Sequence, residues 1–194
     1  DMRRPNHMNR LLQGDVGSGK TIVAAIVLYA AVTAGYQAAL MVPTEVLAEQ
    51  HFAKLEALFA DFPVKLGLLT GSTTAKKRRE MLAELRDGPL NLIIGTHALI
   101  QKGVDFKALG LVVIDEQHRF GVNQRKILQE KGQKPDLLSM TATPIPRTLA
   151  ITAYGEMDVS TIDELPAGRK PITTTWLRKN QVGQVYRLIR SQVQ

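Results

Sequence analysis

Cysteine is absent from the chain, and that one absence removes disulfide scaffolds, thiolate metal sites and cysteine nucleophiles together. A reducing, cytoplasmic setting is the expectation that follows. Histidine is sparse: His7, His51, His97 and His118 stand far apart and match no metal-ligand spacing. Charge is missing from the whole of 21–44, a run comparable to the roughly 20 residues that a membrane helix needs. Gly35, Tyr36 and Gln37 interrupt that run and Pro43 closes it, so it reads as a buried helix followed by a buried strand, and no membrane association is expected. The opening DMRRPNHMNR is polar and basic without an apolar centre, so no signal peptide is expected there. Neither an internal repeat nor a low-complexity tract is visible.

What is present describes a globular α/β protein. The 194 residues suffice for one sizeable core, or for one domain and part of another. With 44% apolar and 22% charged residues the composition excludes disordered and fibrous classes. The 25 basic residues against 18 acidic ones leave a formal charge of +7, which favours a polyanionic partner without requiring one. Short apolar runs alternate with longer helical segments, the pattern of parallel strands joined by crossover helices. Six runs are expected as strands: 10–13, 38–42, 65–69, 91–94, 111–114 and 136–140. Continuous apolar runs such as LVVI and NLII suit strands covered on both faces.

The segment after Lys20 is apolar nearly all round and should form a deep helix closed by Gly35. Over 44–60, Ala48, Phe52, Leu55 and Phe59 make one apolar stripe. ELPAGRKPITTT, at 164–175, reads as a linker or extended crossing segment. Beyond it, Val182, Val185, Ile189 and Val193 recur at helical spacing and need a partner surface.

Two motifs carry chemistry. GDVGSGKT, residues 14–21, fits G-x-x-x-x-G-K-[ST] between an expected strand and an expected helix. Its glycines let backbone N–H groups of Gly14, Asp15, Val16, Gly17, Ser18 and Gly19 turn toward phosphates at a helix N-terminus. Lys20 reaches the terminal phosphates and the Thr21 hydroxyl ligates Mg²⁺ in such a loop. LVVIDE then supplies carboxylates where an apolar strand ends. Asp115 is expected on the metal and Glu116 as the group that orients and deprotonates the attacking water. Read alone, two acids at a strand end also suit the cap of a following helix.

DEQHRFG from Asp115, TAT at Thr141, Ala142 and Thr143 within SMTATPIPRT, PTEVLAEQ from Pro43, TGS from Thr70 and GTHALI from Gly95 occur in the order of a motor. Together with the phosphate loop they resemble the first lobe of the superfamily-two helicases. The resemblance implies a RecA-like P-loop NTPase domain with a mostly parallel sheet and helices on both faces, using ATP and Mg²⁺. It implies that Gln117, His118, Thr141, Ala142 and Thr143 couple hydrolysis to movement, and that Pro43, Thr44, Thr70, Gly71, Ser72, Thr96 and His97 meet the DNA backbone. Thr44 and Thr96 are equally placed to be helix N-caps.

Lys76, Lys77, Arg78 and Arg79 oppose the dipole of the helix they begin, so they either face a phosphate backbone or form a solvated charged face. Aromatics are only 5% of the chain, and no base-stacking platform is visible, so sequence-independent contact with DNA is expected.

The run TGSTTAKK at 70–77 and Gln117 resemble the bacterial helicases that remodel branched DNA, at forks and Holliday junctions, in recombination and repair. The transcription-repair coupling translocases have a similar motor, and a non-motor nucleotide switch is the remaining alternative. The expected organisation is an upstream linker remnant at 1–9, the ATP-binding lobe at 10–164, and a linker with the start of a second RecA-like lobe at 165–194. The resemblance implies that this second lobe, with its arginine finger, and a DNA-wedge domain are partners, and that without lobe two the chain is nearly inactive.

Overall fold

Alternation of side chains along the central strands decides the architecture of the computed structural model, which describes residues 1–2, 6–143, 157–164, 174 and 176–193. The strands are β1 (Asn9–Gly14), β2 (Gln37–Met41), β3 (Leu66–Leu69), β4 (Leu92–Gly95), β5 (Leu109–Ile114), β6 (Asp136–Thr141) and β7 (Asp158–Ile162). The helices are α1 (Lys20–Thr33), α2 (Glu45–Leu58), α3 (Ala75–Asp87), α4 (Val122–Gln129) and α5 (Val182–Val193). On β2, Ala38 and Leu40 turn to one face and pack with Ala24, Leu28, Ala48 and Leu55 of α1 and α2. Ala39 and Met41 turn to the other face, with Leu85 of α3 and Leu128 of α4. A strand covered on both sides favours apolar residues on both faces, which is why β2 beyond its hydrogen-bonded first residue, Gln37, and β5 have no polar alternation.

The sheet has seven strands in the order β3-β4-β2-β5-β6-β1-β7, and every neighbouring pair is parallel. All six expected strands are present, and the expected RecA-like α/β class holds. β7 is an addition. DVSTI has no continuous apolar run, because an edge strand needs only one neighbour; Arg10 of β1 reaches across to Ser160 Oγ at 2.7 Å and Asp158 Oδ2 at 3.2 Å.

α1 needs a correction. It is buried along Ala24, Ala25, Leu28 and Ala31, but Ile22 is 50% and Ile26 63% exposed, so the helix is open on one side. Its end follows the expectation: Gly35 takes φ 86°, and the Gly35 and Tyr36 N–H groups donate to Val32 O and Ala31 O, the pairing of a Schellman cap. In α2 the stripe of Ala48, Leu55 and Phe59 is buried, while Phe52 is only partly covered and His51 takes the deeper place.

Of the expected linker, 164–175, only Glu164 and Thr174 lie among the described residues. α5 forms where expected, and Val182, Val185 and Ile189 stay open on it, as do Tyr186 at 64% and Leu188 at 60% exposure. No helix among the described residues is long and apolar enough to cross a membrane.

Candidate functional site

Strand order divides the carboxyl edge of the sheet into two groups of three. β5, β6 and β1 are adjacent and end in Asp115, Thr141 and the Gly14–Thr21 loop; β3, β4 and β2 are adjacent and end in the segments at 70–72, 96–97 and 43–44. Ligands of open α/β sheets gather at carboxyl ends. A cavity of about 540 Å³ lies there, lined by Lys20, Thr21, His51, Asp115, Glu116 and Ala142. A larger cleft, about 720 Å³, lies by Gly110 and Asp136 at the amino ends of β5 and β6. It holds none of the motif residues, so the smaller cavity is the candidate site.

The loop from Gly14 to Thr21 has the geometry of a phosphate cradle. Gly17 and Gly19 take φ of 83° and 101°, values that a side chain disfavours and that turn successive N–H groups inward. A Cβ on Gly14 would stand 2.4 Å from Ser18 Oγ and 3.2 Å from Ile162 Cβ, so the close turn requires glycine. Asp15 stabilises the turn by accepting the Val16 N–H through Oδ1 at 2.7 Å. Lys20 folds back over the loop and donates from Nζ to Gly14 O at 2.7 Å and Asp15 O at 2.8 Å. Ser18 Oγ is buried without a hydrogen-bond partner; it packs beside Gly14, and Ser18 is not among the residues that line the cavity.

Opposite the loop, the Asp115 carboxylate is fixed from both sides. Its Oδ1 accepts the Glu116 N–H at 3.0 Å, and its Oδ2 lies 2.8 Å from His51 Nε2. Glu116 takes φ 50°, a left-handed conformation costing about 1–2 kcal/mol for a residue with a Cβ. That turn allows two consecutive acids to line the same cavity, and strain of this kind concentrates at functional sites. Glu116 Oε2 is 3.5 Å from His118 Nδ1.

Among the residues expected to couple, Gln117 is buried, with Oε1 accepting from Arg125 at 3.3 Å, and His118 is exposed. Thr141 is fully buried at the end of β6, and its hydroxyl accepts the Thr143 N–H at 3.1 Å. Ala142 lines the cavity. The PIPRT residues after Thr143 lie outside the described residues.

The matched pattern of the DEAD/DEAH box helicases covers residues 4–151, more than half of the chain. The chain belongs to that family. This DEAD/DEAH box helicase chain is 64% identical, over its whole length, to the ATP-dependent DNA helicase RecG of Streptococcus pneumoniae and 60% identical to that of Bacillus subtilis. It spans 29% and 28% of their lengths, under a third. A solved structure of RecG bound to a three-way DNA junction matches all of the chain and 26% of the RecG chain, with TM-score 0.85 at 47% identity. The helicase domain of Pyrococcus furiosus Hef matches 96% of the chain and 43% of its own, with TM-score 0.66 at 22% identity, which shows a shared fold.

The second group of loops, at 43–44, 70–72 and 96–97, is held by hydrogen bonds within the chain. Thr44 caps α2, its hydroxyl accepting the Leu47 N–H at 3.3 Å, and Pro43 precedes it. Thr96 is 1% exposed and its hydroxyl caps a short 3-10 turn. Thr70 is 5% exposed and 2.9 Å from Ser72 Oγ. The Gly71 N–H and the Ser72 hydroxyl are exposed but engaged, both donating to the Glu45 carboxylate at 2.8 and 2.9 Å. Only Thr44 and His97 of this set present exposed side chains without such an intervening acid. Lys76, Lys77 and Arg79 are exposed at the start of α3, while Arg78 donates to Gln101 Oε1 at 3.0 Å.

Two residues of this DEAD/DEAH box helicase chain were not singled out by its motifs. Glu45 looks like an ordinary first-turn acid on a helix, and nothing local announces its contact with the 70–73 loop. His51 carried a readable signal: it lies three residues after Ala48 and four before Leu55, on the buried side of α2.

Proposed function

We propose that the chain is the first motor lobe of an ATP-dependent DNA helicase that remodels branched DNA, at forks and Holliday junctions, in recombination and repair. The observation that carries this reading is the match of the entire chain to RecG bound to a three-way junction, at 47% identity. The 64% identity to a second RecG supports the same choice over a transcription-repair coupling translocase. Bacterial relatives and the lack of cysteine support a cytoplasmic protein.

ATP and Mg²⁺ fit the residues present. The Gly14–Thr21 cradle, with Gly17 and Gly19 at positive φ, and the Lys20 ammonium suit a polyphosphate. The Thr21 hydroxyl and the Asp115 carboxylate, which line the same cavity, are hard oxygen donors of the kind Mg²⁺ takes alongside phosphates. When bound, the metal supplies neutralisation of charge on the phosphates.

The chain's own residues then divide the work. Lys20 leaves the loop carbonyls for the terminal phosphates. Asp115, held by His51 and by the Glu116 N–H, would hold the metal together with Thr21. Glu116 orients the attacking water and accepts its proton on a carboxylate oxygen, its backbone turn having aimed it into the cavity. Thr141, Ala142 and Thr143, with Gln117 and His118, carry the nucleotide state to the loops at 43–44, 70–72 and 96–97, which lie over the adjacent strands.

Residues 165–194 begin the connection to a second lobe, and that lobe supplies an arginine finger, an element worth about 10³–10⁵ in rate. The isolated chain should therefore bind nucleotide weakly and hydrolyse little. The deciding experiment is unwinding of a synthetic fork by the full-length parent protein, with and without ATP. Unwinding that needs ATP, and its loss in Glu116→Gln with nucleotide still bound, is the expected result. Equal turnover by Glu116→Gln would remove Glu116 from its assigned role.

A further inference from the structure

The DEQH acids do not stand alone: a histidine from a different motif reaches the first of them. His51, on the second turn of α2, lies 2.8 Å from Asp115 Oδ2, with only 10% and 13% of the two side chains exposed. Its other ring nitrogen, Nδ1, is buried without a partner. A buried N–H left unpaired costs more than a bare ring lone pair, so the proton is assigned to Nε2, and the ring donates to the carboxylate. The second carboxylate oxygen accepts the Glu116 N–H. An ionised carboxylate has about four acceptor positions, so about two remain on a residue that lines the cavity after both bonds are made.

We propose that His51 is a positioning residue for Asp115, fixing the carboxylate in the one rotamer that presents its open lone pairs to the metal position. The inference rests on the reading of Asp115 as the residue that faces Mg²⁺, and goes beyond it by assigning a role to a helix counted with the DNA-side motifs. α2 is capped by the exposed Thr44, three residues past the end of β2, and His51 lies seven residues beyond that cap, about 10 Å along the helix axis. A single rigid helix thus has its first turn among the strand-end loops and its second on the acid that faces the nucleotide. Partners that orient a metal-facing carboxylate act through geometry, and their loss typically weakens metal binding about 10- to 100-fold.

The test reads metal dependence and leaves hydrolysis aside. In the full-length parent protein, a fluorescent ADP analogue is titrated in EDTA and then at increasing Mg²⁺. His51→Leu should raise the half-saturating Mg²⁺ concentration about tenfold while leaving the affinity in EDTA unchanged. His51→Gln, which places an amide N–H where Nε2 stands, should restore most of the loss; His51→Asn, which is too short, should not. If the Leu variant does not fold, the Gln and Asn pair carries the same comparison. Identical Mg²⁺ dependence in wild type and His51→Leu, or in the Gln and Asn variants, overturns the proposal. Asp115→Asn separates the two layers: unchanged Mg²⁺ dependence there would refute the metal reading itself, whereas a shift there with none at His51 refutes the positioning role alone.

Discussion

Replacing Lys20 by alanine should weaken nucleotide binding by about two orders of magnitude and no more, and the structure gives the reason. In the free chain the ammonium is not idle in solvent but donates to Gly14 O and Asp15 O at 2.7 and 2.8 Å. Binding exchanges those two carbonyl acceptors for phosphate oxygens. A hydrogen bond involving a charged group contributes about 1.5–3 kcal/mol, and one to an ionised acceptor is roughly twice as strong as one to a neutral acceptor. Taking about 1.5 kcal/mol for each carbonyl bond and about 3 kcal/mol for each phosphate bond, the exchange gains about 3 kcal/mol over two bonds. At about 1.4 kcal/mol per factor of ten, that is roughly a 100-fold preference lost in Lys20→Ala. Were the free ammonium unbonded, the same arithmetic would give about 6 kcal/mol, or more than 10⁴-fold. Calorimetric titration of wild type and Lys20→Ala with ADP and Mg²⁺ distinguishes these cases. A loss above about 10⁴-fold refutes the reasoning that the free lysine is self-satisfied, and a loss under about threefold refutes its contact with phosphate.

Three further outcomes follow from the same geometry. Gly95→Ala should destabilise the fold by at least about 1–3 kcal/mol, because the added Cβ would meet Leu69 O at 2.2 Å and Leu99 Cγ at 3.0 Å at the end of β4, between β3 and β2; an unchanged thermal midpoint would contradict it. Glu45→Gln should tighten DNA binding by about 0.5–1.5 kcal/mol, since it removes the charge that holds the Gly71 N–H and the Ser72 hydroxyl. Fluorescence anisotropy with a labelled fork reads it, and weaker binding would show instead that Glu45 braces the loop. Substituting Thr141 and Thr143 together by alanine should leave ATP hydrolysis present while lowering the duplex unwound per ATP, because the Thr141 hydroxyl fixes the Thr143 N–H; unchanged unwinding per ATP in a fork assay counts against that coupling.

Strands buried on both faces were legible because of their unbroken apolar composition: LVVI, and LII after Asn91, have no exposed side for a polar residue. β7 was not, since DVSTI at an edge carries the mixed composition of a loop. The depth of α1 was overstated for a related reason, as an all-apolar sequence does not say which side is covered, and Ile22 and Ile26 stand in the open. At the site, glycine spacing exposed the cradle because only particular backbone angles build it. The strand-end threonines were ambiguous by nature. A hydroxyl that can bind phosphate can also cap a helix, and Thr44 and Thr96 both do the latter. The partnerships of Glu45 and His51 span 26 and 64 residues of sequence, distances over which no local pattern operates.

One seam in the sheet has a mechanical consequence. The nucleotide-facing strands and the loop-bearing strands meet only where β2 lies against β5, with Met41 opposite Ile114 and the Asp115 N–H donating to Met41 O at 3.0 Å. Within the sheet, a displacement that starts on either half reaches the other through this one row of inter-strand hydrogen bonds, so the sheet resembles two plates joined along a single weld. The Asp115 amide proton is in that weld, and its exchange with solvent is a built-in strain gauge for the whole lobe.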